Sequence, residues 1–396
     1  MKIAFWVNNF GFSQVDCSKV AYGNPGIGGT EFSAILIAES LMNIGLDTYI
    51  LCNRDGIFPK GQKFKCVVDI IEACKYVNKN NFSYFVIDSR ALTKDLLYAF
   101  PRIRFIAWAN CFIEDWMNDI FPKCPNLLKF VNVGREQARL CERMPIFTKS
   151  TYIYNAVPTK MLDKVVLKSY QERKPNVVYI GSIHKAKGFH LLAEAWPKVV
   201  QSVPNAELYV IGSGNLYSKN IRLGKWNIAC EEYENQFMPY LTNNNGILPS
   251  VHFMGKMGEE KYALLAKCKV GIPNPSGVSE TFGYTAVEMQ MMGCAVTTIL
   301  CPAYIDTVYN KNNLYKSQDQ LAENIIKLLL STENAYDDIL AFINSFSVDK
   351  VTSHWVSLFE DLKKIQIKTK KFSMNYIISN FILSLKMLKH RFFVNH

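Results

Sequence analysis

The sequence predicts an α/β protein of two domains, each built on a parallel sheet with helices on both faces. The chain has 396 residues, which is more than a single hydrophobic core usually holds. Its composition, 49% hydrophobic and 20% charged, is that of an ordinary globular protein. Short apolar runs alternate with segments of helical length, and this alternation starts again after a stretch containing lysine and proline at residues 157–175. We therefore place a domain boundary near residue 165.

The first series of apolar runs predicts the strands of an N-terminal domain that spans residues 1–165. These runs lie at residues 3–7, 48–51, 85–87, 105–108, 130–133 and 151–154. The second series predicts the strands of a C-terminal domain that spans residues 166–365, whose last helix is a candidate to cross back to the first domain. These runs lie at residues 177–180, 208–211, 251–254, 270–273 and 295–299. Amphipathic helices are expected at residues 258–267 and 281–292, and residues 219–250 form an insertion of unknown role.

Cysteine and charge patterns exclude several kinds of protein. The eleven cysteines contain no C-x-x-C pair, which indicates buried thiols in a reducing compartment and neither a disulfide framework nor a zinc site. The apolar run at residues 3–7 is too short for a signal peptide, so we expect a cytoplasmic protein. Of the formal net charge of +11, residues 363–396 contribute seven lysines and one arginine without an acid. We therefore expect no nucleic-acid groove in the body of the protein.

Glycine-containing loops follow three of the predicted strands. They lie at residues 23–31, 181–188 and 212–214. Glycine lets the backbone approach a phosphate, and helix N-termini bind anions, so Gly28, Gly29 and Lys187 are candidate phosphate contacts. Gly26-x-Gly28 also resembles the opening of a dinucleotide fingerprint, so an NAD-dependent oxidoreductase is an alternative. The match fails where Glu31 takes the third glycine position, and the loop begins about fifteen residues after the first strand.

Two glutamates eight residues apart flank a predicted helix start. Glu280 precedes the helix, and Glu288 lies about two turns along it. The backbone amides between them belong to Thr281, Phe282, Gly283 and Tyr284 and favour a diphosphate at the helix N-terminus. Glu280 is a candidate to accept hydrogen bonds from sugar hydroxyls and Glu288 from both ribose hydroxyls. The alternative is a capping carboxylate followed by a solvated helix glutamate.

At these residues the chain resembles the family 4 glycosyltransferases of GT-B fold, whose C-terminal half carries an E-x7-E motif. The resemblance is carried by PNPSGVSETFGYTAVEMQMMGCAVTT at residues 273–298, YIGSIHKAKGFHLL at 179–192, VHFMGKMGEEKYALLAKC at 251–268, YNAVPTKML at 154–162 and GIGGTE at 26–31. It covers nearly the whole chain up to about residue 365. It implies two Rossmann-like domains that face each other across a cleft, with the N-terminal domain on the acceptor side and the C-terminal domain binding the nucleotide sugar.

The resemblance also implies roles for single residues. Gly28 and Gly29 would approach the donor phosphate, Lys187 would hold the diphosphate, Glu280 would bind the donor sugar and Glu288 the ribose. Lys187 and Glu280 are the expected catalytic residues. The implied reaction retains the anomeric configuration and uses a nucleotide-diphosphate sugar as co-substrate, with UDP favoured over GDP and neither a metal nor a cofactor.

Two positions depart from the family pattern. Ser182 stands where many relatives have an arginine and is kept as a candidate donor contact, and Asn110 is the nearest match to a histidine that lies near the donor sugar. A catalytically weakened homologue that only binds nucleotide sugars is therefore an alternative. Asn110 and Glu31 remain candidates for a sugar or acceptor contact, and residues 114–116 are weaker candidates of the same kind.

The C-terminal segment at residues 366–396 predicts a basic amphipathic helix. Its apolar residues recur every three or four positions, at Met374, Ile378, Phe381, Leu385, Leu388 and Phe392. Such a helix binds the anionic inner face of a membrane or packs as a final helix on the N-terminal domain. Membrane binding would favour a lipid-linked acceptor, as in the synthesis of cell-surface polysaccharide or lipopolysaccharide, whereas a glycan acceptor needs no such tail.

Overall fold

The computed structural model describes residues 1–214 and 222–365. They form two compact units. Among the described residues, unit 1 comprises Met1–Ser18, Thr30–Ala156 and residues 351–365, and unit 2 comprises Lys19–Gly29 and the described part of Val157–Lys350. The units therefore divide after Ala156. The sequence predicts this boundary near residue 165. The basic segment at residues 366–396 lies outside the described residues, so its membrane and packing alternatives stay predictions.

Unit 1 is built on seven parallel strands. They are β1 (Lys2–Val7), β2 (Asp47–Cys52), β3 (Lys63–Cys66), β4 (Tyr84–Asp88), β5 (Phe105–Ala109), β6 (Leu127–Asn132) and β7 (Ser150–Tyr152). Their order in the sheet is β3-β2-β1-β4-β5-β6-β7. Sequence analysis misses β3, because this edge strand, KFKC, is largely exposed and has no apolar run.

The helices of unit 1 pack on a core to which strands, helices and loops all contribute apolar residues. They are α1 (Gly29–Asn43), α2 (Ile70–Lys79), α3 (Lys94–Ala99), α4 (Asp115–Ile120) and α5 (Arg135–Arg139). Helix α1 begins at Gly29, with 21 residues (8–28) between it and the end of β1 at Val7, and it carries Glu31 in its first turn. The turn from β1 to α1 is therefore much longer than the direct strand-to-helix turn of a dinucleotide fingerprint.

Unit 2 has a five-stranded parallel sheet and two small two-stranded sheets. Its strands are β8 (Asn176–Ile180), β9 (Glu207–Ile211), β10 (Thr242–Asn243), β11 (Gly246–Ile247), β12 (Val251–Gly255), β13 (Val270–Ile272), β14 (Ala295–Val296), β15 (Thr298–Ile299) and β16 (Leu314–Tyr315). The main sheet has the order β12-β9-β8-β13-β14. The single strand predicted at residues 295–299 is wrong, because β14 pairs with β13 while β15 pairs with β16 in a separate sheet.

The helices that follow in the chain are α6 (Phe189–Ser202), α7 (Glu231–Phe237), α8 (Lys261–Leu265), α9 (Tyr284–Met291), α10 (Pro302–Thr307), α11 (Leu321–Leu330), α12 (Tyr336–Ile343) and α13 (Val348–Lys363). Two of them are shorter than predicted. Helix α8 replaces the helix predicted at residues 258–267. Helix α9 starts three residues later than predicted because Gly283 adopts a left-handed conformation, with φ +79°, that a helix interior excludes.

The two main sheets share one strand order. When the strands of each sheet are numbered along the chain, the order is 3-2-1-4-5-6-7 in unit 1 and 3-2-1-4-5 in unit 2. The shared part is the order of a Rossmann-like fold. The order reverses between β1 and β4 in unit 1 and between β8 and β13 in unit 2. The prediction of two Rossmann-like α/β domains is confirmed. In such sheets a ligand binds beyond the carboxyl ends of the strands at this switch point.

The last described helix, α13, packs on unit 1 from Val351 onwards. Trp355 lies edge-on to Trp108 with ring centroids 4.8 Å apart, and Phe359 stacks on Tyr84 at 5.2 Å. Arg104 donates hydrogen bonds to the carbonyl oxygens of Leu362 and Ile365 at the end of the helix. The chain therefore returns to unit 1 after completing unit 2.

The insertion at residues 219–250 is folded around a buried carboxylate in its described part. Glu234 is 2% exposed and accepts hydrogen bonds from the backbone N–H groups of Trp226, Ile228 and Ala229 at 2.8–3.1 Å. The loop packs closely on the end of β9, since a Cβ on Gly214 would lie 2.6 Å from the Ala229 Cα atom. One carboxylate therefore holds the described part of the insertion together.

We expect Glu234→Gln to destabilise unit 2 by about 2 kcal/mol, because an amide replaces a charged acceptor of three backbone N–H groups. Glu232→Gln, an exposed position on the same helix, should change the free energy of unfolding by less than about 0.5 kcal/mol. Urea unfolding followed by tryptophan fluorescence measures both. Equal losses in the two variants would contradict the role given to the Glu234 carboxylate.

Candidate functional site

Two motif residues form an ion pair at the switch point of unit 2. Lys187 lies in the loop after β8, and Glu280 lies in the loop after β13. Their atoms Nζ and Oε2 are 2.8 Å apart, and the side chains are 27% and 16% exposed. The two predicted catalytic residues are therefore in contact, at a place that is partly shielded from water and still reachable by a ligand.

The two loops are held together by their backbones. Gly188 has φ +66°, and a Cβ there would lie 2.7 Å from the backbone nitrogen of Ser276. The Ser276 hydroxyl lies 2.6 Å from the carbonyl oxygen of Ala186, close enough to donate a hydrogen bond. Only glycine fits this left-handed position against Ser276. The approach of the two loops sets the distance between Lys187 and Glu280.

Asn274 orients the Glu280 carboxylate. Its side chain is 3% exposed, and its amide Nδ2 donates to Glu280 Oε2 and to the Val278 carbonyl, each at 3.1 Å. The intervening Ser279 has φ +56°, an uncommon conformation for a residue other than glycine. Sequence reasoning does not single out Asn274, although its place two residues after β13 in a proline-containing loop is a usable signal.

At the start of α9, backbone groups are better placed than side chains to contact a ligand, because most of the side chains are buried. Thr281 and Phe282 are buried, and Phe282 packs on Tyr284 at 5.1 Å and on Phe346 at 5.5 Å. Gly283 caps the helix, and a Cβ there would lie 2.8 Å from the Tyr304 ring. The predicted contacts at Thr281, Phe282 and Gly283 can therefore come from their amides, while the half-buried Tyr284 also presents its ring.

Glu288 is buried and paired. It is 4% exposed, and its Oε1 atom lies 2.8 Å from Lys261 Nζ and 2.7 Å from the Tyr262 hydroxyl. Burial and the Glu288 charge raise the pKa of Tyr262 well above its usual value, so the phenol stays protonated and donates to the carboxylate. The alternative of a solvated helix glutamate is wrong, because α9 lies with this face toward the interior of unit 2.

The glycine-rich loop at residues 23–29 belongs to unit 2 and lies against the same residues. A Cβ on Gly23 would lie 2.7 Å from the Tyr262 ring, and the backbone N–H of Asn24 donates to the Tyr262 oxygen. A Cβ on Gly29 would lie 3.2 Å from the ring of Tyr284. The structure therefore brings Gly29, with its partly buried neighbour Gly28, beside the start of α9.

Ser182 and the third glycine loop have local roles. Ser182 is 4% exposed, and its carbonyl oxygen lies 3.2 Å from the Tyr179 hydroxyl. A Cβ on Gly212 would lie 1.8 Å from the Gly181 carbonyl oxygen, and the Gly212 N–H donates to Gly255 at 2.8 Å. Close packing of the strand ends therefore accounts for the glycine at residue 212, without a phosphate.

The two site candidates of unit 1 line one cavity of about 310 Å³. Glu31 comes from the first turn of α1 and Asn110 from the residue after β5. Burial raises the pKa of Glu31, and the neighbouring Asp88 charge raises it further. Of the weaker candidates, Trp116 Nε1 donates to Glu114 at 2.8 Å. Residues 114–116 are not among the residues that line this cavity.

In residues 1–214 and 222–365, no group of three or more His, Cys, Asp or Glu side chains is placed to hold a metal ion. In the same part of the chain, no helix combines the length and the apolar character that a membrane span requires.

We expect Gly188→Ala to destabilise unit 2 by about 3 kcal/mol, because the new methyl group meets backbone atoms of Ser276 in a left-handed conformation. Gly255→Ala is the matched control. Gly255 has φ +69° in the same unit but nothing within 4 Å of its Cβ position, so it should lose only about 1 kcal/mol. Urea unfolding compares them, and similar losses would contradict the close approach of the two loops.

The part of the chain that contains the Lys187–Glu280 ion pair matches the model of a known protein family. Residues 174–331 match the family model of the glycosyl transferases group 1. This segment contains β8, β13 and α9 with Lys187, Glu280 and Glu288. No curated protein sequence matches the chain significantly.

Solved structures share the fold at low sequence identity. The HepE protein of Anabaena, solved with UDP and glucose, is 15% identical, with a TM-score of 0.63 over 91% of this chain and 100% of that one. A glycosyltransferase from Rickettsia africae ESF-5 is 14% identical, with a TM-score of 0.67 over 92% and 99%. AviGT4, a glycosyltransferase involved in avilamycin A biosynthesis, is 13% identical, with a TM-score of 0.60 over 91% and 98%. The chain therefore has the GT-B fold, and its residues 174–331 carry the pattern of the group 1 glycosyl transferases.

Proposed function

We propose that this chain is a retaining glycosyltransferase of family 4, which moves a sugar from a UDP-sugar to a glycan or a lipid-linked acceptor. The Lys187–Glu280 ion pair at the switch point of unit 2 is the observation that carries the proposal. The pair combines a cation for a diphosphate with a carboxylate for sugar hydroxyls, beside a helix N-terminus. A GDP-sugar is the second choice of donor.

The diphosphate is assigned to Lys187 and the start of α9. The ammonium group and the positive end of the helix dipole both favour a dianion. Gly28 and Gly29 let the backbone of their loop approach the same place. During transfer, negative charge builds up on the departing phosphate, and fixed positive groups stabilise it without reorganisation. We therefore propose a reaction without a metal ion or a cofactor.

The donor sugar is assigned to Glu280. Both Lys187 and Asn274 contact its Oε2 atom, and we assign sugar hydroxyls to Oε1. The carboxylate thus links the sugar to the lysine that holds the diphosphate. In a retaining front-face reaction the departing phosphate assists the acceptor, so Glu280 binds the sugar and needs no nucleophilic role.

The ribose is assigned to Glu288, the second glutamate of the proposed E-x7-E motif. Lys261 and Tyr262 both contact Oε1, which fixes the carboxylate, and we assign the ribose hydroxyls to Oε2. Tyr262 also touches the loop of Gly23 and Asn24. The same tyrosine therefore positions the glutamate and the glycine-rich loop in unit 2.

The choice of UDP is supported by what related folds bind. HepE has been solved with UDP, with UDP-glucose, and with UDP and glucose. The pneumococcal O-GlcNAc transferase GtfA has been solved with UDP and GlcNAc. These nucleotides are ligands of those proteins. For this chain we propose only that the donor is of the same class, a UDP-sugar.

The acceptor and the location are proposed on the sequence alone. The basic segment at residues 366–396 suits an anionic membrane surface. It favours a lipid-linked acceptor on the cytoplasmic side, in the synthesis of cell-surface polysaccharide or lipopolysaccharide. A glycan acceptor without a membrane is the alternative.

A binding-only homologue is the second candidate function. Ser182, buried in the loop after β8, stands where many relatives of the resembled family have an arginine. Loss of that cation would weaken stabilisation of the departing phosphate while leaving donor binding to Lys187, Glu280 and Glu288. Turnover therefore distinguishes the two candidates better than affinity does.

We expect UDP to bind the full chain in calorimetric titrations and NAD to show no binding. Lys187→Ala and Glu288→Gln should each weaken UDP binding about 10- to 100-fold, since each removes a charged hydrogen-bonding group. Lys198→Ala and Glu323→Gln break an exposed ion pair in the same unit and should leave the affinity within about twofold. Binding of NAD in place of UDP, indifferent to Lys187, would overturn the proposal in favour of the oxidoreductase alternative.

Turnover is measured as release of UDP from UDP-glucose, UDP-galactose and UDP-N-acetylglucosamine without added acceptor, so that water takes the sugar. We expect slow release from at least one donor, reduced about 100-fold or more by Lys187→Ala because the departing phosphate loses its cation. The Lys198→Ala chain should match the unmodified protein. Tight UDP binding without release from any donor would favour the binding-only homologue.

A further inference from the structure

Two cysteines of unit 1 lie side by side at the ends of neighbouring parallel strands. Cys52 is the last residue of β2 and Cys66 is the last residue of β3. They are partners in the register of the two strands, and their Sγ atoms are 4.0 Å apart. Both residues are free cysteines. The pairing of β2 with β3 therefore holds two thiols in contact without a covalent bond between them.

The spacing of the two strands suits a disulfide at this position. Neighbouring strands lie about 4.8 Å apart, and the two Cα atoms of a disulfide are usually about 4.4–6.8 Å apart. The Sγ atoms have to approach from 4.0 Å to about 2.05 Å. Rotation of the two side chains about their Cα–Cβ bonds can supply this movement, so the strands can keep their places while the bond forms.

The surroundings of the two thiols differ, and this difference sets the order in which they react. Cys52 is 0% exposed, and its Sγ atom lies 3.3 Å from the Arg54 carbonyl oxygen. Cys66 is only partly buried, and its thiol donates to Asp55 Oδ1 at 3.0 Å. A dissolved reagent therefore meets Cys66 first, and Cys52 is reached through Cys66.

Oxidation fits this pair of thiols better than metal binding does. A protein site for zinc takes at least three protein ligands. In the part of the chain that the structure describes, no group of three or more His, Cys, Asp or Glu side chains is placed to hold a metal ion. A disulfide needs only the two sulfur atoms that are already in contact.

We propose that Cys52 and Cys66 form a reversible oxidation site that takes a small-molecule disulfide of the glutathione class as its oxidant. The Cys66 thiolate attacks one sulfur of the oxidant, forms a mixed disulfide with it and releases one thiolate. The Cys52 thiolate then attacks Sγ of Cys66, forms the Cys52–Cys66 bond and releases the second thiolate. The protein loses two protons and two electrons, and the oxidant takes them up to become two thiols.

The disulfide would join an exposed edge strand to an anchored part of the sheet. Strand β3 is largely exposed. The loop that follows Cys52 is held by Asn9, whose Oδ1 atom accepts from the backbone N–H groups of Asn53 and Arg54 at 3.1 and 2.9 Å. Exposed disulfides are reduced more readily than buried structural ones, so an excess of small thiol should reverse the bond. This chemistry is independent of the donor site proposed for unit 2.

The rate of oxidation should depend on pH. Burial raises the pKa of both thiols, and the hydrogen bond to Asp55 raises the pKa of Cys66 further, while the nearby Lys65 charge lowers it. Both thiols are therefore protonated near neutral pH, and only the thiolate reacts. Its fraction grows tenfold with each pH unit below the pKa, so we expect the rate to rise about tenfold from pH 7 to pH 8. Equal rates at the two pH values would contradict attack by a thiolate.

The test incubates the full chain with glutathione disulfide at pH 8 without nucleotide. Free thiols are then blocked with N-ethylmaleimide, and tryptic peptides are analysed by mass spectrometry. Trypsin leaves Cys52 in the peptide of residues 20–54 and Cys66 in the peptide of residues 66–75, which also contains Cys74. We expect these two peptides to be linked in at least about half of the chains and to separate after an excess of reduced glutathione.

Variants test the order of the two steps. Cys66→Ser should abolish the link and leave Cys52 unmodified, because Cys52 is buried. Cys52→Ser should abolish the link and leave Cys66 as a mixed disulfide with glutathione. Cys74→Ser is the matched control, since Cys74 is 0% exposed and lies in the same peptide as Cys66. It should leave the yield of the link within about twofold, and circular dichroism reports whether each variant is folded.

Three results would overturn the proposal. The first is a folded chain in which Cys52 and Cys66 are both blocked by N-ethylmaleimide after prolonged oxidation. The second is loss of the link in a folded Cys74→Ser chain. The third is an equally abundant link between Cys268 and Cys294, both 0% exposed, because oxidation of such thiols would show that the reagent acts on unfolded chains.

Discussion

The contact between Lys187 and Glu280 is the interaction on which the candidate donor site depends. The two residues are 93 positions apart in the sequence, and they meet because β8 and β13 are neighbours in the sheet. Gly188 and Ser276 then fix how closely the loops approach. With that approach set, Asn274 can hold the carboxylate and α9 can begin beside the lysine. The placement of Lys187 beside Glu280 therefore depends on the order of the strands and on Gly188.

The same strand order gives unit 1 a different site. Its switch point lies between β1 and β4, and the cavity there is lined by carboxylates, amides and indoles. Unit 2 presents a lysine and a helix start, which suit a diphosphate. The cavity of unit 1 also contains Arg90, whose guanidinium contacts Asp88. One strand order therefore places two different sets of side chains at the two switch points.

Much of this organisation is predictable from the sequence, and the reason is local. Apolar runs predict most of the strands, the motif around Glu280 predicts the two candidate glutamates, and the glycine-containing loop at residues 181–188 predicts Lys187. The sequence pattern does not predict edge strand β3, because this strand is exposed. Helix α9 begins later than predicted, because Gly283 adopts a left-handed conformation. Lys261 and Tyr262, which fix Glu288, depend on packing between α8 and α9. The contact between Cys52 and Cys66 depends on the pairing of β2 with β3, and the sequence pattern does not predict β3.

The most direct test of the central claim is a crystal structure of the full chain with UDP bound. We expect the distal phosphate within hydrogen-bonding distance of Lys187 and of the amides at the start of α9. We expect the ribose hydroxyls to donate hydrogen bonds to Glu288. The Lys187–Glu280 contact should persist or loosen only as the phosphate takes its place. Nucleotide bound away from the switch point of unit 2, with Lys187 and Glu288 untouched, would contradict the account.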